Sequence, residues 1–441
     1  MFKDRFGLPL TTESEKAADA YVEALDALFT MQLGTIDLID KTLGHDPDFA
    51  LAHCVKARTW LLVGDAAAAS ASVSRAEALA TNRSDLSERE RRHIEIVGLV
   101  TQGDSVQALS QVRIHAAEYP RDALPLSFAL GVYGLLGFSG AVDHHAQQRD
   151  LLESVAGHWD DDWWFSTNLG WSYVETGQFE RGIQLLDRAL AIQPDNANAA
   201  HGRAHGYYET GAAAEGETFI ADWLPTYDRA NPLHCHLSWH RALFALQMGD
   251  VERAVGIYHD SLKPSVSLAV PMFTMIDCAS FVWRGLIYGH PLPRADVAEL
   301  LDFTLEHFPK AGLHFVNVHA ALVYAAAGET KRSKLHLAAV DERLAQGRQP
   351  CGPMISELCM GIASYGNGDY DDAARRLGAV QRDFDRIGGS HAQRDVLIDT
   401  IIGAQLKSHD PRQATDTLNA RMTHRAPHLD ETWMNRLPRA G

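Results

Sequence analysis

The sequence predicts an all-α fold: an α-solenoid of about nine helical hairpins that form a right-handed superhelix with a concave groove. Three observations lead there. A glycine recurs at Gly64, Gly103, Gly137, Gly177, Gly211, Gly249, Gly289, Gly328 and Gly368, with gaps of 34 to 40 residues, and a period of this size marks stacked two-helix units. Several of these glycines are followed by a residue able to cap the next helix: Asp65, Asp104, Gln178, Asp250, Glu329 and Asp369. Between the glycines the apolar residues follow helical spacing, as in Ala321, Leu322, Ala325 and Ala326, and no block of alternating Val, Ile and Thr reads as strand.

Length alone, 441 residues, suggests about three domains or one array. The unbroken period favours one array over 1–441, with a weak division into 1–158 and 159–441 at the run Trp159-Asp160-Asp161-Asp162-Trp163-Trp164. A composition 46% hydrophobic and 22% charged excludes disorder. The net charge of −17 repels phosphates and anionic lipid, and no basic run offsets it, so neither nucleic acid nor membrane is expected as a partner. No apolar stretch is long enough to span a bilayer, and the start (Met1-Phe2-Lys3-Asp4-Arg5-Phe6) lacks the apolar core of a secretory signal. Five scattered cysteines without a CxxC read as reduced thiols of a cytoplasmic protein. The unusual count is 22 histidines.

The segment from Trp164 to Pro194 shows the repeat unit most clearly: Asn168-Leu169-Gly170, Tyr173, Gly177-Gln178-Phe179, Ala189, Pro194. It resembles the tetratricopeptide repeat (TPR). Gly170 lets two helices approach, Gly177 takes the turn and Pro194 stops the second helix. A small residue recurs on the second helix, at Ala69, Ala108, Ala254 and Ala373. Gaps longer than the TPR norm of about 34 residues imply long helices that curl enough to close the groove into a pocket.

The opening Gly7-Leu8-Pro9-Leu10-Thr11-Thr12, the late Gly388-Gly389-Ser390-His391-Ala392-Gln393-Arg394-Asp395-Val396 and the paired histidine segments between Ala200 and His240 resemble the tetratricopeptide repeat protein 38 family. The resemblance spans nearly the whole chain. It implies the TPR-like α-solenoid and no particular activity, and its pattern also matches Asp277 and Arg284. Leu130-Gly131 stands where His-Asp is expected, so that repeat is given no site role.

The histidines carry the candidate chemistry. His201, His205 and Glu209 fall one turn apart on one helical stripe, with Tyr208 beside it, and the next hairpin reads His234-Cys235-His236-Leu237-Ser238-Trp239-His240. Stripes on consecutive hairpins should face each other about 8–10 Å apart. Histidines at i, i+4 can reach one metal ion with a carboxylate as a third ligand, which makes His201, His205, Glu209, His236 and His240 metal candidates. The same groups serve equally as acid and base, with His205, His240 and Glu209 catalytic, or as hooks for a ligand; a polar groove in which they satisfy one another is the plainer alternative. His240 and His319 precede their turn glycines by nine residues and His93 by ten. Arg394 suits an anionic ligand or a buried ion pair. His201, Tyr208, His236, Trp239, Asp277, His319 and Arg394 are therefore expected around the ligand.

Other chemistries are excluded: no phosphate-binding glycine loop, no dinucleotide fingerprint, no nucleophile elbow and no zinc-finger cysteine spacing occurs. The sequence thus points to a groove that binds a small molecule or extended peptide. The alternative is an enzyme using the His201/His205/Glu209/His236/His240 cluster for acid–base or metal-assisted chemistry. No cofactor is required, a divalent metal is compatible and oligomers are possible.

Overall fold

The computed structural model describes residues 2–423 and 428–437. Among them are twenty-three α-helices and one two-stranded antiparallel sheet that pairs Phe2–Lys3 with Pro9–Leu10. The chain forms two compact units. The first comprises Met1–Ser139, His144–Thr176 and Gln184–Ala199; the second comprises Gly140–Asp143, Gly177–Ile183 and Ala200–Gly441. The Trp159–Trp164 run lies inside the first.

In chain order the helices are α1 (Glu15–Phe29), α2 (Thr35–His45), α3 (Ala50–Val63), α4 (Ala66–Asn82), α5 (Glu88–Gln102), α6 (Ser105–Glu118), α7 (Ala123–Ser127), α8 (His144–Val155) and α9 (Trp163–Glu175). Next come α10 (Phe179–Ile192), α11 (Ala197–Thr210), α12 (Ala213–Trp223), α13 (His234–Gln247), α14 (Val251–Ile257), α15 (Pro271–Tyr288) and α16 (Arg294–His307). The last are α17 (His314–Ala326), α18 (Thr330–Ala345), α19 (Met354–Gly366), α20 (Tyr370–Val380), α21 (His391–Lys407), α22 (Gln413–Met422) and α23 (His428–Arg436).

Eight of the nine predicted turn glycines sit between paired helices with φ from 70° to 86°. This left-handed region is nearly free of strain only for glycine. Gly137 is the exception. Its hairpin is replaced by the five-residue α7 and a series of turns over 128–143, where Gly131, Gly134, Gly137 and Gly140 recur every three residues. Each glycine disfavours helix by about 1 kcal/mol, so four in ten residues leave no second half to the hairpin. The glycine series also misses α1/α2, whose turn uses Met31 (φ 59°) and Gly34, and α21/α22. Of the predicted caps, Asp65, Asp104, Asp250 and Asp369 accept from the backbone N–H three residues on. Glu329 makes no such side-chain cap.

In the second unit the first helices of successive hairpins pack in series: α13 on α15, α15 on α17 and α17 on α19, with α21 returning against α15 and α20. Arg284 of α15 is fully buried; its guanidinium donates to Asp399 (2.9 Å), to the Ala392 carbonyl (3.0 Å) and to Ser280. Tyr288 and Arg421 also bind Asp399, at 2.8 and 2.6 Å. The role of Arg284 is thus to bind α15 to α21, with Arg421 holding α22 to the same Asp399, since a buried charge persists only when paired.

Close packing sets one stability prediction. A Cβ on Gly216 of α12 would lie 2.6 Å from Phe244 Cζ and 2.8 Å from Tyr207 Cβ. Gly216→Ala gains helix propensity but forces the buried Phe244 ring aside, and overpacking of this kind costs about 1–3 kcal/mol. Denaturant unfolding should show a lower midpoint with an unchanged slope.

Candidate metal centre

Two histidines on α11 and two on α13 converge inside the second unit. The one-turn spacing of His201/His205 and His236/His240 points both pairs to one side of their helices. Ring centroids stand 4.7 Å apart for His201–His236, 4.5 Å for His205–His240 and 4.9 Å for His236–His240. One ring nitrogen from each of the four lies within 4.8 Å of all the others, and all four side chains are buried. Four imidazoles about one point is the donor set of a transition-metal site.

The local chemistry sharpens this. Nε2 of His201 and Nε2 of His205 are 3.1 Å apart. Two bare lone pairs repel at that distance, so a proton or a cation belongs between them. A tetrahedral ion with metal–nitrogen bonds of about 2.0–2.1 Å holds its ligand nitrogens about 3.4 Å apart. His236 donates from Nδ1 to Asp277, 2.9 and 3.0 Å from the two carboxylate oxygens. In the neutral ring the lone pair is then on Nε2, as in carboxylate–histidine–metal triads. His240 is fully buried, and neither of its ring nitrogens has a hydrogen-bond partner among the described residues. Burial, reinforced by the neighbouring imidazoles, holds His201 and His240 well below the ordinary histidine range. They are therefore neutral, the form that ligates. Burial pushes the Asp277 carboxyl upward while its bond to His236 opposes this.

Of the five metal candidates, Glu209 does not join the group. Its buried carboxylate accepts from His391 Nδ1, 2.8 Å from each oxygen, which turns it toward α21. Tyr208 likewise donates to Asp395 at 2.8 Å. Trp239 stacks on the His236 ring, with centroids 5.1 Å apart and planes 14° from parallel. His319 donates from Nδ1 to the Phe315 carbonyl (2.8 Å), and burial pushes its pKa down to about 4. Arg394 takes the ion-pair role: it binds Asp385 at 2.7 Å and the carbonyls of Gly388 and Gly389. The string that carried the family resemblance is thus a built helix start. Ser390 and Gln393 form a reciprocal capping box on α21, and a Cβ on Gly389 would strike Phe315 at 2.4 Å.

Sequence reasoning missed His391 and Asp395 as partners of this region, although both stand in that string. It also missed the buried set in the first unit, where Asp122 accepts from Arg89 (2.8 Å) and lies 3.0 Å from His115 Nε2 and 3.3 Å from His93 Nδ1. His93 belongs there, held below its ordinary pKa by burial. The cysteines are buried free thiols, and burial raises Cys235 far above the range in which a thiolate forms.

No helix among the described residues is long and apolar enough to cross a membrane. No family model matches the chain. Solved structures that align with it include a human IFIT1 dimer with PPP-AAAA, at 14% identity over 98% of this chain and 95% of that one, with a TM-score of 0.41. Yeast Tom70 aligns at 14% identity over 94% and 88%, with a TM-score of 0.34. The P58(IPK) TPR domain aligns at 13% identity over 89% and 98%, with a TM-score of 0.21. The paired helices, their glycine turns and the serial packing of the first helices make this chain a TPR-like helical-repeat protein.

Proposed function

We propose that the chain is a helical-repeat binding protein whose principal ligand is one divalent transition-metal ion held by His201, His205, His236 and His240. The observation that carries the reading is the gathering of four ring nitrogens within 4.8 Å of one another in a buried site. The alternative of mutual satisfaction fits less well, because both nitrogens of His240 go without a hydrogen bond there. All-imidazole donors suit zinc, copper, nickel or iron over magnesium or calcium, which take oxygen ligands. Asp277 orients His236 and supplies a negative charge just outside the donor set, which offsets part of the ion's charge.

A second reading, metal-assisted chemistry, is favoured by the pairs Tyr208–Asp395 and Glu209–His391. These place proton-holding groups on the turn of α11 that follows His205. The metal is common to both readings and is tested first. Untagged protein purified without chelator should carry about one transition-metal atom per chain, lose it on dialysis against a chelator, and regain it from Zn²⁺ or Co²⁺. Less than about 0.1 atom per chain, both as isolated and after incubation with Zn²⁺, Co²⁺, Ni²⁺ and Cu²⁺, would overturn the proposal.

A further inference from the structure

The second unit holds another feature that the metal reading does not use. The end of α16, the connection into α17, and α18 line a half-open cavity of about 480 Å³. Four cations line it, Lys310, Arg332, Arg343 and Arg348, against a single carboxylate, Glu342, which already accepts from Gln346 at 3.1 Å. In a chain of net charge −17 this is a local reversal of sign, and no run of basic residues announces it, because the four come from separate parts of 310–348.

Among the described residues only Arg332 has an acidic neighbour, Glu329 at 3.9 Å. Lys310, Arg343 and Arg348 form no ion pair there. Arg343 adds a second observation: its Nε is shut off from solvent with no hydrogen-bond partner, and a guanidinium N–H in that position is a donor awaiting an acceptor. The rest of the lining is mixed, with His336, Tyr324 and Gln346 polar and the others apolar. Leu305 and Ala339 contribute, and Leu335 is 61% exposed, unusual for a leucine beside a concave surface.

We propose that this cavity binds a small organic anion, with a carboxylate or phosphate head on Arg343, Arg348 and Lys310 and an apolar body against Leu305 and Leu335. The volume falls within the range of small-ligand sites, about 300–1,000 Å³. Planar guanidinium groups pair with both kinds of head through two parallel hydrogen bonds. A long polyanion fits less well, because a chain of net charge −17 repels whatever extends beyond the four cations.

Fluorescence titration of the whole chain with 11-(dansylamino)undecanoic acid and its methyl ester tests this. The two probes share an apolar body and differ in the head. The acid should bind at least about tenfold more tightly than the ester, with affinity falling as salt rises. The double substitution R343Q/R348Q should weaken the acid by about tenfold or more without moving the metal content or the melting temperature. Should that pair disturb α18, Lys310→Gln, on an exposed residue, should still weaken the acid and spare the ester. Equal binding of acid and ester, or an acid titration unchanged in both variants, would overturn the site. Tighter binding of an oligoglutamate peptide or an oligoadenylate with the same arginine dependence would overturn the small-anion assignment.

Discussion

Replacing His240 with leucine is expected to stabilise the metal-free protein by about 1–2 kcal/mol and to destabilise the metal-loaded protein by about 2–3 kcal/mol. The inversion of sign follows from the geometry. His240 is fully buried and its two ring nitrogens find no partner among the described residues, and a buried polar group left unpaired costs about 1–3 kcal/mol. Leucine has a similar volume and no polar atom, so the chelated protein gains most of that back. Metal at about a thousand times its Kd stabilises the native chain by about 4 kcal/mol, and the variant, short of one ligand, forgoes it. Denaturant unfolding in chelator and in excess Zn²⁺ checks both signs with one protein. If the histidines merely satisfied one another, the change would have the same sign in both buffers.

The repeat was readable because its signal is local and periodic. Gly177, Gly211 and Gly249 each announce a left-handed turn that few other residues tolerate. The failure at Gly137 has a local cause as well, since a glycine every third residue from 131 to 140 reads as a turn series once helix propensity is summed. The α1/α2 hairpin escaped because its turn places a non-glycine, Met31, at positive φ.

Four members of the candidate centre were legible for the same reason as the fold. His201/His205 and His236/His240 are i, i+4 pairs on neighbouring helices, so helical geometry alone aligns them. Glu209 obeys the same spacing and still turns away, because its partner His391 lies 182 residues further along the chain. Asp277 could be placed near the centre only through the family resemblance, and nothing in its neighbours in sequence says that it binds His236. The cationic cavity was missed in part for this reason: Arg332, Arg343 and Arg348 lie along α18 and just beyond it, but Lys310 joins them only when the connection from α16 to α17 packs against that helix. Contacts within one helix can be read from spacing. Those that depend on a long-range return of the chain cannot.

Acid should weaken the second unit well before it unfolds by carboxylate protonation. Burial pushes His314 and His319 down to about 4, and holds His201 and His240 well below their ordinary value. An unfolded histidine titrates near 6.5. Between these limits the unfolded chain binds more protons than the folded one, so stability is complete above about pH 6.5 and falls as pH drops toward the folded values. From pH 7 to pH 5.5 His314 and His319 each cost about 1 kcal/mol, and in the metal-free protein His201 and His240 add to the loss in the same direction. Asp277, raised by burial, works in the opposite direction, since the folded state then takes up its proton more readily. In the first unit the balance differs, because Asp4 and Asp26 are raised to about 6 and gain stability as pH falls through that value, against the lowered His53 and His93. Hydrogen exchange in chelator at pH 7.0 and 5.5, corrected for the intrinsic rates, should therefore show protection lost over 200–423 and largely kept over 2–139. His234, also lowered to about 4, and His336 act in the same sense, so the double substitution His314→Phe/His319→Phe should remove part, and not all, of the acid-induced loss. A second unit as protected at pH 5.5 as at pH 7.0 would mean that these histidines take up protons while folded, and with that the neutral imidazoles on which the metal centre depends would be lost.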